Sequence, residues 1–110
     1  MRFHTPLATI VEAEQFFTRS AGYLRDPSPH GRKEDEERFI RPLRGAPYPR
    51  LHMSVIEQSG HILCSLHLDQ KKPSYAGSHA HSAEYDGPVL EEERERIIKL
   101  FERRAEQARS

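Results

Sequence analysis

Five of the seven histidines in this 110-residue chain, His52, His61, His67, His79 and His81, fall between Leu51 and Gly87. Asp69, Glu84 and Asp86 lie in the same stretch. Neutral imidazole and carboxylate are ligands that zinc and other late first-row metals accept, and a catalytic centre needs three protein ligands and an open position. His79-Ala80-His81 puts two imidazoles on one face of an extended segment, and His52 and His67 supply a second pair. Asp69 or Glu84 would provide the carboxylate. The candidate ligand set for a divalent transition metal such as zinc is therefore His52, His67, His79, His81, Asp69 and Glu84. A water bound to such an ion would serve hydrolysis. Lys71 and Lys72, just after Asp69, are candidates for holding an anionic group of a substrate. HExxH, paired CxxC and zinc-finger spacings are all missing. His61 beside a turn, His4 near the N-terminus and His30 in a charged loop read as ordinary solvated residues.

These side chains need a sheet to position them. Leu51, Met53 and Val55 alternate with His52, Ser54 and Ile56; Ile62, Cys64, Leu66 and Leu68 alternate with Leu63, Ser65, His67 and Asp69. Strict alternation is the signature of a half-buried strand. With Ser59-Gly60 as a two-residue turn, Leu51 faces Leu68, Met53 faces Leu66 and Val55 faces Cys64. A slip of one residue would set Leu51 against His67 and bury the wrong side-chain set, which favours the first register. His52 then stands opposite His67, Ser54 opposite Ser65 and Ile56 opposite Leu63. Two imidazoles at cross-strand distance can converge on one ion.

Other functions fit the same face. Leu51-His52-Met53-Ser54-Val55 resembles one half of the HxT/S pair of two-histidine phosphoesterases, in which the histidines act as acid and base and the hydroxyl holds phosphate. The second half is missing, because His67-Leu68-Asp69 and His79-Ala80-His81 both depart from the pattern. His52 and His67 could still work as a metal-free acid–base pair, since imidazole titrates near neutrality. A third reading is a non-enzymatic binding module, a homodimer through this face whose stability would respond to histidine protonation. Arg38 to Arg50 holds four arginines among Phe39 and Tyr48, a composition used on single-stranded nucleic-acid surfaces. Prolines 42, 47 and 49 favour an edge strand and a connection there instead.

Helices must cover the apolar side of the hairpin. Residues 5 to about 21 have helical spacing at Ile10, Ala13 and Phe17, with Thr5-Pro6 as the expected start, Thr9 and Glu12 as a second capping pair and Gly22 as the stop. The clearest helix runs from about Val89 to Ala108, with Leu90, Ile97, Ile98, Phe101, Ala105 and Ala108 as its apolar stripe and its glutamates on a solvated face. Short strands are expected at Tyr23-Leu24, around Phe39–Leu43 and in SHAHSAEY, and a mobile charged loop from about 26 to 37. The fold class is α+β: a small two-layer sandwich, one domain over 1–110, with an antiparallel sheet of three to four strands. An N-terminal and a C-terminal helix cover one face of it.

Composition narrows the field. Lys and Arg number 17, Asp and Glu 17, so the formal net charge is zero, with no global field for nucleic acid or an acidic membrane. The single cysteine, Cys64, excludes a disulfide within the chain and sits at an apolar strand position. No apolar run reaches membrane-spanning length and the N-terminus lacks a signal-peptide pattern, so the expected location is the cytoplasm.

Overall fold

The hairpin folds as its alternation demands. In the computed structural model, which describes residues 1–28, 34–71 and 83–109, Arg50–Gln58 pairs antiparallel with His61–Asp69 through Leu51↔Leu68, His52↔His67, Ser54↔Ser65 and Ile56↔Leu63. Ser59 and Gly60 both have positive φ, 50° and 79°. That is the backbone of a type I′ turn, whose twist matches the strands it joins.

The sheet is larger than the three to four strands expected. In chain order its strands are β1 (Arg2–His4), β2 (Leu24–Arg25), β3 (Glu36–Pro42), β4 (Arg50–Gln58), β5 (His61–Asp69) and β6 (Ala83–Glu84). The spatial order is β1-β5-β4-β3-β2, and β6 also pairs with β5. β1, β2 and β6 have two or three residues each, too few for a period of two to show in sequence. β3 begins at Glu36, inside the stretch read as a charged loop.

Two helices complete the α+β fold. α1 (Ile10–Gln15) starts at Thr9, whose side chain accepts from the Glu12 backbone N–H, and not at Thr5. Thr5 is used elsewhere: its hydroxyl donates to the Ile62 carbonyl and accepts from the Leu7 N–H, which ties the chain after β1 to β5. α1 continues into a π-helical turn, Phe16–Ser20. α2 is Pro88–Arg109. Ala13, Phe16 and Phe17 from the first helical segment and Leu90, Ile97 and Phe101 from α2 join Leu51, Met53, Val55, Ile62, Cys64, Leu66 and Leu68 in one core. The Phe16 and Phe101 rings stack at 4.1 Å.

The stripe of α2 differs from the expected one in a telling way. Ile98, Ala105 and Ala108 are exposed, while Glu93 is 4% exposed. Glu93 is buried because it is fully matched. Tyr23 donates its hydroxyl to Oε2 at 2.6 Å, Arg96 donates Nε to Oε1 at 2.7 Å, and Arg41 lies 3.6 Å from Oε1. Arg96 also donates to the Ala21 carbonyl. This network fastens α2 to the sheet and to the turn after α1. Among the described residues, no helix is long and apolar enough to cross a membrane.

Candidate metal centre

The helices take one side-chain set of the hairpin, which leaves His52 and His67 as direct partners on the opposite face. Their ring centroids are 4.6 Å apart, and His52 Nδ1 lies 3.1 Å from His67 Nε2. Asp69, two residues beyond His67 and so on the same face, brings Oδ1 to 2.9 Å from His67 Nε2 and Oδ2 to 3.4 Å from His52 Nδ1. One donor atom from each of the three residues lies within 4.8 Å of the others. Donors held about 2.0–2.2 Å from one ion at tetrahedral or octahedral angles sit roughly 2.8–3.6 Å apart. The separation of the two ring nitrogens, and that of each from its nearer Asp69 oxygen, fall in that range, with the two histidines meeting different oxygens of Asp69.

Asp69 is 6% exposed. Burial pushes its pKa upward, but hydrogen bonds from His52, His67 and Arg50 outweigh that and hold it well below the usual carboxylate range. The group is thus a carboxylate at neutral pH, the form a metal requires. Arg50 faces Asp69 across the strands and donates Nε to Oδ2 at 3.0 Å. Its guanidinium also packs over the Tyr48 ring, 4.6 Å from the centroid. Arg50 thereby fixes one carboxylate oxygen and turns the other toward His67.

The remaining ring nitrogen of His52 completes the pattern. Nε2 is buried and makes no hydrogen bond, yet Asp26 Oδ2 stands 3.4 Å away. Pairing across three strands puts Asp26 there. Leu24 of β2 faces Ile40 of β3, Ile40 faces His52 of β4, and Asp26 lies two residues past Leu24 with its N–H on the Arg38 carbonyl. A histidine that ligates through one nitrogen typically turns the other N–H to a carboxylate, which sets its tautomer and raises its basicity. A His52 tautomer with its proton on Nε2, toward Asp26, would leave Nδ1 as a lone-pair donor beside His67 and Asp69, whereas the opposite tautomer would donate Nδ1–H to that pair.

No protein-family model, no curated protein and no solved structure matches this chain. The chemistry of the site therefore rests on its own side chains.

Of the ligands expected from sequence, the structure brings together His52, His67 and Asp69. Glu84 is not among them. It stands opposite Leu68, whose neighbours Asp69 and His67 point to the other face, and it is exposed and accepts from Gln70 at 2.6 Å. Lys71 is exposed just after β5. His79, His81, Lys72 and His30 lie outside the described residues. His61 is exposed next to the turn and His4 is exposed on β1. Two neighbours of this group carry no mark in the sequence: Asp26 falls in the stretch expected as a charged loop, and Arg50 in the arginine-rich segment. Three of the latter's four arginines have intramolecular acidic partners: Arg38 pairs with Glu36 at 2.9 Å, Arg41 with Glu93 and Arg50 with Asp69. Tyr85 comes to lie beside the centre, its ring 5.5 Å from that of His67.

Proposed function

We propose that this protein binds one divalent transition metal through His52 Nδ1, His67 Nε2 and a carboxylate oxygen of Asp69, with Asp26 and Arg50 orienting the ligands. The observation that carries this reading is the buried, unbonded Nε2 of His52 facing Asp26 while Nδ1 converges with the other two donors. A sheet face of merely solvated histidines has no need of a carboxylate behind one ring and a guanidinium behind the acid.

Two imidazoles and one carboxylate suit zinc, iron(II) or manganese, and leave coordination positions open. A metal in that setting lowers the pKa of bound water and polarises an ester, amide or phosphoryl oxygen, which makes hydrolysis the favoured reaction class. The part played by the chain is orientation. Asp26 holds the His52 tautomer, Arg50 holds the Asp69 rotamer, and the core-packed hairpin fixes the spacing of the two rings.

The test is elemental analysis of protein purified without a polyhistidine tag or chelator. About one zinc, iron or manganese per chain, absent from the His52→Ala/His67→Ala double variant, is the expected result. Protein that carries no metal and takes none up on titration would end this reading. The face would then stand as an interface, to be examined for self-association or nucleic-acid binding.

A further inference from the structure

The row of side chains next to the histidines has a composition of its own. The strand pairing aligns Arg2 with Ser65, Ser65 with Ser54, and Ser54 with Arg38. One line across β1, β5, β4 and β3 therefore reads Arg-Ser-Ser-Arg, all on the open face. The neighbouring line on one side is His67–His52, and on the other Leu63–Ile56. Together these residues line a trough of about 540 Å³, with Glu36 and Gln58 at its margin. Small-molecule sites have volumes of roughly 300–1,000 Å³.

We propose that this row is an anion subsite for a phosphate group carried by a small substrate of the proposed metal centre, on whose existence the substrate role rests. The Ser54 and Ser65 hydroxyls make no hydrogen bond to any described residue and are directly opposed at the trough floor. Guanidinium-bearing side chains approach from both sides. Two hydroxyls and two guanidiniums spread over four strands offer donors from several directions. That suits a tetrahedral oxyanion better than a planar carboxylate, which one guanidinium can bind through both oxygens. The lining holds two arginines, Arg2 and Arg38, against one acid, Glu36, which is paired with Arg38 through Nε at 2.9 Å.

The arrangement also fixes a distance. Ser54 and Ser65 are two residues along their strands from His52 and His67, about 7 Å at a rise of roughly 3.4 Å per residue. Asp69 lies on the far side of His67. The row is thus offset from the histidine pair by roughly 7 Å of strand, which suits a phosphate that serves as a recognition handle beside the reacting bond. Leu63 and Ile56 would flank a small apolar substituent at the other end.

The experiment uses inorganic phosphate alone on the metal-free full-length chain, so its outcome is independent of whether the centre binds metal. Amide shifts of Arg2, Arg38, Ser54 and Ser65 should move on phosphate titration in constant ionic strength, while acetate at equal concentration leaves them in place. Ser54→Ala/Ser65→Ala should weaken phosphate at least fivefold without lowering metal content, and Arg2→Ala should act in the same direction. His52→Ala/His67→Ala should remove the metal and keep the phosphate. Equal shifts with phosphate and acetate, an undiminished affinity in the serine double variant, or loss of phosphate only in the histidine variant would each overturn the subsite.

Discussion

The two faces of the sheet each bury a carboxylate, and they treat it differently. On the helix-covered side Glu93 is met by Tyr23 and Arg96 at hydrogen-bonding distance, with Arg41 beside it. On the open side Asp69 is held by Arg50 at one oxygen, and its other contacts are two histidines that also touch each other. The first network is closed. The second brings one metal-ligating atom from each of three residues within 4.8 Å of the others and leaves His52 Nε2 without a hydrogen bond. Buried polar groups are normally satisfied, and the proposed metal centre rests on the contrast between a fully matched carboxylate and one shared by two histidines.

That contrast can be broken from either side. Glu93→Ala should give the largest loss of stability, about 3–5 kcal/mol, because it leaves Arg96, Arg41 and the Tyr23 hydroxyl without their shared acceptor. Urea unfolding would measure it, and metal affinity in the surviving folded protein should be unchanged. Asp26→Asn should do the reverse. Loss of the carboxylate behind His52 should weaken metal binding about 10–100-fold, with a stability change near 1 kcal/mol or less. An Asp26 variant that unfolds the protein while binding metal normally would assign Asp26 to the scaffold.

The faces should also fail at opposite ends of the pH scale. The Asp69 pKa is depressed in the fold. Its contribution is in place above the unfolded value of about 3.9 and is lost as pH falls through the lower folded value. Metal-free protein should therefore lose stability below about pH 4, and Asp69→Asn should flatten that limb. Cys64 and Tyr23 move the other way. Burial pushes the thiol up from 9.0 to about 12, and burial, then the nearby Glu93 charge, raises the Tyr23 hydroxyl. Their contribution is complete below their unfolded values and declines as pH rises past about 9. Urea titrations across both limbs would read the two slopes separately. At neutral pH, Cys64 should resist alkylation in the folded protein and react once it is unfolded.

The central pair of this account was legible in the chain because two signals agree. The apolar alternation of β4 and β5 and the Ser-Gly turn select one register, and that register alone sets His52 against His67. Asp26 was hidden because its position depends on β2 pairing with β3 and β3 with β4. Two residues of β2 carry no periodicity from which to infer that. Glu93 was hidden for another reason. It sits in a run of glutamates at the start of α2, and only the tertiary approach of Tyr23 and Arg41 marks it out from its exposed neighbours. The start of α1 turned on a choice between two threonines. Thr5 is drawn to the Ile62 carbonyl by a strand, β1, too short to foresee, which leaves Thr9 as the cap.

The most direct test of the centre is the ring nitrogens themselves. In uniformly ¹⁵N-labelled protein titrated with zinc, long-range proton–nitrogen correlation spectra report which nitrogen of each histidine binds metal. The geometry predicts one equivalent of zinc, with His52 bound through Nδ1 and protonated at Nε2 toward Asp26, and His67 bound through Nε2. Histidine spectra that do not change through several equivalents of zinc, or His52 bound through Nε2, would contradict the account at its core.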